Sequence, residues 1–368
     1  YLISVAASGI RAVDGAGIDQ YSGTTAIAAT PTIAATLTDS ASLTVALNAS
    51  SPKKNDIVCA GGAGEDECDL VTLLTFDLKA EKDNVKITDM NVAVAKAGAG
   101  EATASTTVYL YDGSTALANA TVGSLNTAVF SDFDYTINKD VTKTLTVKAD
   151  IRNSNPTSAN FTASASSTGI TAENSVGDSV TPTGTATGKA IGVLSVGPQF
   201  TLVSKSITTA GVPQDNAAGL AISTSTLTAT FNIKVKAVGG PLEFGISQAT
   251  TTLNAFIAST TGFAVYRDGA ADATIGSNAT STSITFDSTC VVTSATASCA
   301  LAENAETTVA LSYQLQGRKA ASTIFTSGLY SIGIARLQWL NVSATGGVFS
   351  TTFMDGEADW RTSDVSFP

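Results

Sequence analysis

The chain has 368 residues, a formal net charge of −11, a charged fraction of only 14% and no histidine. Without imidazole it lacks the commonest general base and the commonest metal ligand, and 31 acidic against 20 basic residues disfavour the phosphate neutralisation on which sequence-independent nucleic-acid binding runs. Most enzymes, zinc sites and DNA-binding modules are thereby excluded, while a hydrophobic fraction of 43% is enough for packed cores.

The first stretch, Tyr1 to Gly17, reads YLISVAASGIRAVDGAG. It has neither a basic n-region nor an apolar h-region, so a signal peptide is not expected here. Either a leader has been removed or the chain starts inside a longer precursor. Phe161 to Gly177 reads FTASASSTGITAENSVG. At a single offset Tyr1 meets Phe161, Gly9 meets Gly169, Ile10 meets Ile170, Ala12 meets Ala172 and Gly17 meets Gly177. The chain therefore opens with what its own repeats use as the closing strand of a domain. The Thr/Ala/Pro-rich stretch 24–38 then reads as a linker, as does 179–189.

Two longer copies follow. Thr75-Phe76-Asp77-Leu78-Lys79-Ala80 matches Thr230-Phe231-Asn232-Ile233-Lys234-Val235 at an offset of 231 − 76 = 155. The tyrosine of YDG at Tyr111 matches that of YRDG at Tyr266, and 266 − 111 = 155 again. Beyond this the register moves: Thr144-Leu145-Thr146-Val147 aligns with Thr308-Val309-Ala310-Leu311. Within the copies apolar residues alternate with period two, as at Phe76, Leu78 and Ala80 or Leu145, Val147, Ala149 and Ile151. Turn signals such as Asp83-Asn84 and Asp112-Gly113 separate the runs, which argues antiparallel sheets with one buried face. The expected fold is all-β: two tandem Ig-like Greek-key β-sandwiches, at 41–195 and 196–368, preceded by an N-terminal arm and linker at 1–40. No apolar run reaches the ~20 residues of a membrane-spanning helix.

Four cysteines form two equally spaced pairs, Cys59/Cys68 and Cys290/Cys299. The spacing reads as two local disulfides and implies an oxidising, extracellular setting. Glu65, Asp66, Glu67 and Asp69 in the first loop are a weak calcium candidate, with Asp14 and Asp19 weaker still; surface acidity is the blander reading and no cofactor is expected. Asn48, Asn119, Asn160, Asn278 and Asn341 begin glycosylation sequons, about as many as such a Ser/Thr-rich chain carries by chance, so glycans are permitted. Trp339, Tyr266 and Trp360 are the few aromatic residues that a carbohydrate platform would need, and core packing is the commoner fate on such patterns. Lys79, Lys86 and Lys148 sit on strand patterns, so a Ser–Lys nucleophile is not expected.

Leu43 to Pro52, Phe76 to Ala80, Asp83 to Ile87 and Val108 to Ser114 resemble the tandem immunoglobulin-like modules of secreted bacterial surface proteins, of S-layer-like or filament-like kind. The resemblance covers about 41–195 well and 196–345 more loosely; it implies fold and location more than activity. The expected role is a non-enzymatic structural subunit of an extracellular filament, with copies of itself as partners and neither nucleic acid nor a membrane span involved. Leu2 or Ile3, with Val5, Ile10 and Ala12, is expected to form the apolar face of a strand donated head to tail to a neighbour. The alternatives are a surface-layer protein or part of one, and an adhesin or carbohydrate-binding stalk.

Overall fold

A computed structural model describes residues 3–21, 23–29, 40–59, 68–98, 106–123, 125–151, 159–211, 213–215, 221–223, 225–245, 256–257, 261–273, 279–293, 298–317, 326–342 and 348–367. Almost all regular structure among them is strand; Ala358–Trp360 forms a short 3-10 turn. The buried apolar residues separate into two clusters, Leu43 to Val193 and Leu194 to Phe367.

In the first sandwich one sheet runs Thr115–Thr121, Thr106–Asp112, Thr142–Ile151, Cys68–Glu81, Ser42–Leu47. The other has Val85–Gly98 at its centre, flanked by Thr127–Phe130 and Tyr135–Ile137 on one side and Ala159–Asn174 on the other. The two-residue alternation puts Phe76, Leu78, Leu145 and Val147 of one sheet, and Val85, Ile87, Val92 and Val94 of the other, fully inside. Thr183–Thr187 ties the sheets together, parallel to Ser42–Leu47 and antiparallel to Ala159–Asn174. The second sandwich repeats the first sheet as Gly197–Ala210, Thr226–Val238, Glu306–Gln316, Ala279–Phe286. The fold is all-β, of Ig-like sandwiches.

Three details differ from the sequence reading. Stretch 179–189 is not a linker: it contains the strands Ser179–Val180 and Thr183–Thr187, and Val180 and Ala186 are buried. Of Thr183–Thr187 only Ala186 is buried, so the strand carries no apolar alternation and its small, mostly exposed residues have a linker's composition. Second, Phe76 faces Leu145 but Phe231 faces Leu311, two residues beyond the aligned Val309. A two-residue slip keeps the same face inward, so hydrophobic pattern alone does not see it. Third, the two tyrosine-turn motifs are not equivalent. Thr106–Asp112 joins Thr142–Ile151 in the first sheet, whereas Phe263–Arg267 pairs with Gly328–Ile334. Both motifs encode a hairpin turn, at Asp112-Gly113 and Asp268-Gly269, and a turn signal does not specify which sheet receives it.

Cys59 is joined to Cys68 and Cys290 to Cys299, each with Cα atoms 5.4 Å apart. The second bridge staples the hairpin of Val291–Thr293 and Ser298–Leu301. Cys59, Cys290 and Cys299 are buried at the edges of the two cores. Replacing either pair by serine is expected to lower stability by about 2–3 kcal/mol through the unfolded chain's regained freedom. Denaturant titration of each double variant measures it; an unchanged midpoint would show the bridge to be dispensable.

Candidate assembly interface

The arm is not one isolated strand. Ile3–Val5 pairs antiparallel with Ile27–Ala29, and inside that hairpin Arg11–Val13 pairs with Asp19–Tyr21. Turn chemistry explains the folding back. Asp14 Oδ1 accepts the amide N–H of Ala16 and of Ile18, each at 2.9 Å, and Gly17 takes φ +82°. These bonds hold the Asp14 carboxyl below its ordinary pKa, and Arg11 closes the hairpin on Asp19 at 2.7 Å. Both acids thus have structural partners. Strand Ile27–Ala29 falls inside the expected linker, whose residues 30–38 lie outside the described residues.

The same hairpin occurs in the first sandwich, bond for bond. Asn174 Oδ1 accepts the amides of Val176 and Asp178, Asn174 exchanges backbone bonds with Asp178 and Gly177, and Gly177 takes φ +88°. In the arm Asp14 makes the corresponding backbone bonds with Ile18 and Gly17. Ala12 faces Gln20 and Val13 faces Asp19, as Ala172 faces Val180 and Glu173 faces Ser179. A glycine stands at the same place in both, with little room for a side chain. A Cβ on Gly9 would strike the carbonyl oxygen of Ala6, and one on Gly169 would crowd Asn91 and approach the carbonyl oxygen of Ser166. Outside this hairpin Val5 faces Ile27, and Ala165 faces Ala186.

What differs is the surroundings. Ala163, Ala165, Ile170 and Ala172 are buried against Val85–Gly98 and the opposite sheet. Their arm counterparts are Ile3, Val5, Ile10 and Ala12. Ile10 is 57% exposed and Ile27 72%, Ala12 is exposed and Val5 half-buried. Val13, Ile18 and Tyr21 are exposed as well. The arm's described strands pair only with one another. Leu2 lies outside the described residues, as do Glu65, Asp66 and Glu67; Asp69 is exposed. No cluster of three or more candidate metal ligands occurs among the described residues.

The sandwiches meet at a junction that sequence reasoning did not single out. Ile191–Leu194 of the first is followed after two residues by Gly197–Ala210 of the second. Leu194 accepts the Cys59 amide at 2.7 Å yet belongs to the second core. Trp339 is 1% exposed, stacks on Phe349 at 4.8 Å and donates its indole N–H to Thr351, so it is core and no carbohydrate platform. Trp360 is also buried, edge-on to Phe353. Tyr266 lies beneath the Arg361 guanidinium, 4.6 Å from the ring centre. Lys53 pairs with Asp359, and Lys54 donates to the carbonyl oxygen of Thr352 at 2.9 Å. A cleft of about 620 Å³ between them is walled by Ile57, Ile191, Phe200, Phe353 and Trp360.

Asp56 sits beside this seam, where burial pushes its carboxyl above its ordinary value of 3.8 and a bond to Thr351 opposes the shift. In the folded state it binds a proton more readily than in the unfolded chain, so the desolvation cost is felt above its folded pKa and fades as pH falls through it. Asp56→Asn is expected to flatten the stability–pH curve just above the ordinary carboxylate range. Urea midpoints from pH 3.5 to 7 in steps check this; curves of identical shape would contradict it.

No protein-family model and no curated protein sequence matches the chain. Among solved structures, one titled "BspA_C_mut" aligns over 84% of this chain and 96% of its own at 7% identity, with a TM-score of 0.18. The partial N-terminal region of an enterococcal surface protein aligns over 85% and 94%, at 8% identity and a TM-score of 0.18. The C-terminal domain of the Streptococcus pyogenes antigen I/II-family protein AspA aligns over 85% and 98%, again at 8% and 0.18. At TM-scores this low these likenesses carry no argument about fold or role.

Of the sequons, Asn341 is buried and Asn48 gives its amide to Asp77 at 2.8 and 2.9 Å, while Asn119 is exposed on Thr115–Thr121. Lys79 pairs with Glu81, Lys86 with Asp134, and Lys148 lies over the Tyr111 ring. Asn278 lies outside the described residues.

Proposed function

We propose that the chain is a structural part of an extracellular filament-like assembly, made of sandwiches at 41–195 and 196–368 and an arm at 1–40 that is donated, head to tail, to a neighbouring sandwich of the same repeat type. The observation that carries this reading is the arm itself: a copy of a sandwich-closing hairpin whose apolar residues stand in solvent. Exposed apolar side chains on a strand with an unpaired edge favour addition to another sheet. A contact between a front arm and a following body is heterologous and propagates unless its rotation closes a ring. Two disulfides support an oxidising, extracytoplasmic location. The role is that of a building element, with no reaction assigned to it.

Deleting residues 1–29 tests the proposal. Both sandwiches are expected to keep their unfolding midpoints, because the arm's described strands pair only with each other. Incorporation of the labelled chain into the filament-like material, followed by negative-stain microscopy, is expected to stop. Normal incorporation of the truncated chain would refute strand donation.

A further inference from the structure

The arm's internal duplicate specifies what its partner looks like. In the first sandwich the strand Ala159–Asn174 has Thr183–Thr187, Ser179–Val180 and Ile191–Leu194 along one edge. Along the other it has Val85–Gly98. The arm carries its own versions of the first edge, Asp19–Tyr21 and Ile27–Ala29. No described strand stands where Val85–Gly98 would be. The copied turn and the copied pairing of Ala12 fix the frame in which that missing strand would sit.

The described sandwiches of a second copy do not offer the place. Val85–Gly98 already has neighbours on both edges. In the second sandwich Leu242–Gly245 lies between Ser298–Leu301 and Leu337–Asn341. Phe263–Arg267 lies between Ala270–Ala271 and Gly328–Ile334. We propose that the arm's open edge receives a strand of the Val85–Gly98 type from a sandwich of this repeat family that lacks its own closing strand. This rests on the strand-donation reading and names its acceptor.

The register follows from the duplicate. Ala165 faces Val92, Ile170 faces Met90, Thr171 faces Asp89 and Ala172 faces Ile87. Transferred to the arm, Val5 faces the Val92 position, Ile10 the Met90 position and Ala12 the Ile87 position. Arg11 then lies opposite the Asp89 position, where the Thr171 counterpart carries no charge, so an acid there gains a cross-strand ion pair. The acceptor strand is thus antiparallel and alternating, apolar where Ile87, Val92 and Val94 stand and acidic opposite Arg11. The arm's larger Val5, in place of Ala165, calls for an opposite sheet with smaller side chains than the first sandwich presents.

A labelled peptide with the sequence of Val85–Gly98 is the probe, titrated into the whole chain and followed by fluorescence anisotropy. Saturable binding is expected, weakened at least about tenfold, or 1.4 kcal/mol, by deleting residues 1–29 or by placing lysine at the peptide's Val92 and Val94. With Arg11→Cys in the chain, a peptide carrying Asp89→Cys is expected to form a mixed disulfide and one carrying Val85→Cys is not. Equal binding to the arm-deleted chain, no saturation up to millimolar peptide, or cross-linking indifferent to position would overturn the proposal. Arm-dependent self-association of the chain alone in sedimentation velocity would also overturn it, by making a second copy the acceptor. Strand donation in general would then survive, and it fails separately if the arm-deleted chain still assembles.

Discussion

Gly184→Ala is expected to cost the first sandwich about 2–5 kcal/mol. Two independent effects add. Gly184 holds φ +87°, where an L side chain costs about 1–2 kcal/mol. A Cβ there would also meet the carbonyl oxygen of Val45, a backbone atom that cannot rotate away. Relief requires the strands to part, and forced shifts in a packed interior cost about 1–3 kcal/mol. The strands in question are Thr183–Thr187 and Ser42–Leu47, whose parallel contact links the two sheets. Gly177→Ala is the matched control: φ is +88°, but nothing lies within 4 Å of the added carbon. It is expected to show the backbone cost alone. Urea midpoints of the two variants decide the matter, and equal losses would mean that the contact with Val45 is accommodated without strain.

Trp339→Ala is expected to destabilise the second sandwich by about 3–5 kcal/mol, the range for emptying a large buried aromatic site. The loss has a second component, because the Thr351 hydroxyl loses its indole donor. The indole also closes the junction. Gly197 has no Cβ, and one placed there would meet Leu194, Trp339 and Val58. Residues from both sandwiches therefore converge on one point. Removing the ring is expected to separate the two unfolding transitions in calorimetry, the second sandwich melting first. A single transition with an unchanged midpoint would contradict the assigned role of the ring.

Fold class was legible because alternation is a local property. Phe76, Leu78, Leu145 and Val147 read as one-face-buried strands and are fully buried. The hairpin motif at Tyr266 was misplaced because its signal lies in Asp268 and Gly269, and those residues fix a reversal of direction, not a choice of sheet. The 179–189 strands escape the sequence for a related reason: Thr, Gly and Ala satisfy both a linker and a mostly exposed bridging strand, and only the neighbours distinguish them. The arm's kinship with Phe161–Gly177 was visible as identities at Gly9, Ile10, Ala12 and Gly17. Its self-pairing was not read, although Asp14 and Gly17 occupy the turn positions that Asn174 and Gly177 occupy later. The junction was beyond reach, since Trp339, Val58 and Gly197 are far apart in the chain and share no pattern.

The strand order of the first sandwich has a mechanical consequence. The chain enters through Ser42–Leu47 and leaves through Ile191–Leu194. The entering strand is parallel to Thr183–Thr187, and the leaving strand is parallel to Asn55–Val58. A pull between the two ends draws parallel neighbours past each other, so their hydrogen bonds are strained in shear and must fail together. A strand peeled from an antiparallel edge would release them one at a time. The Cys59–Cys68 bridge adds a limit, because the residues between its ends cannot pay out as slack. Such a module is expected to resist stretching more than one whose end strands peel from antiparallel edges.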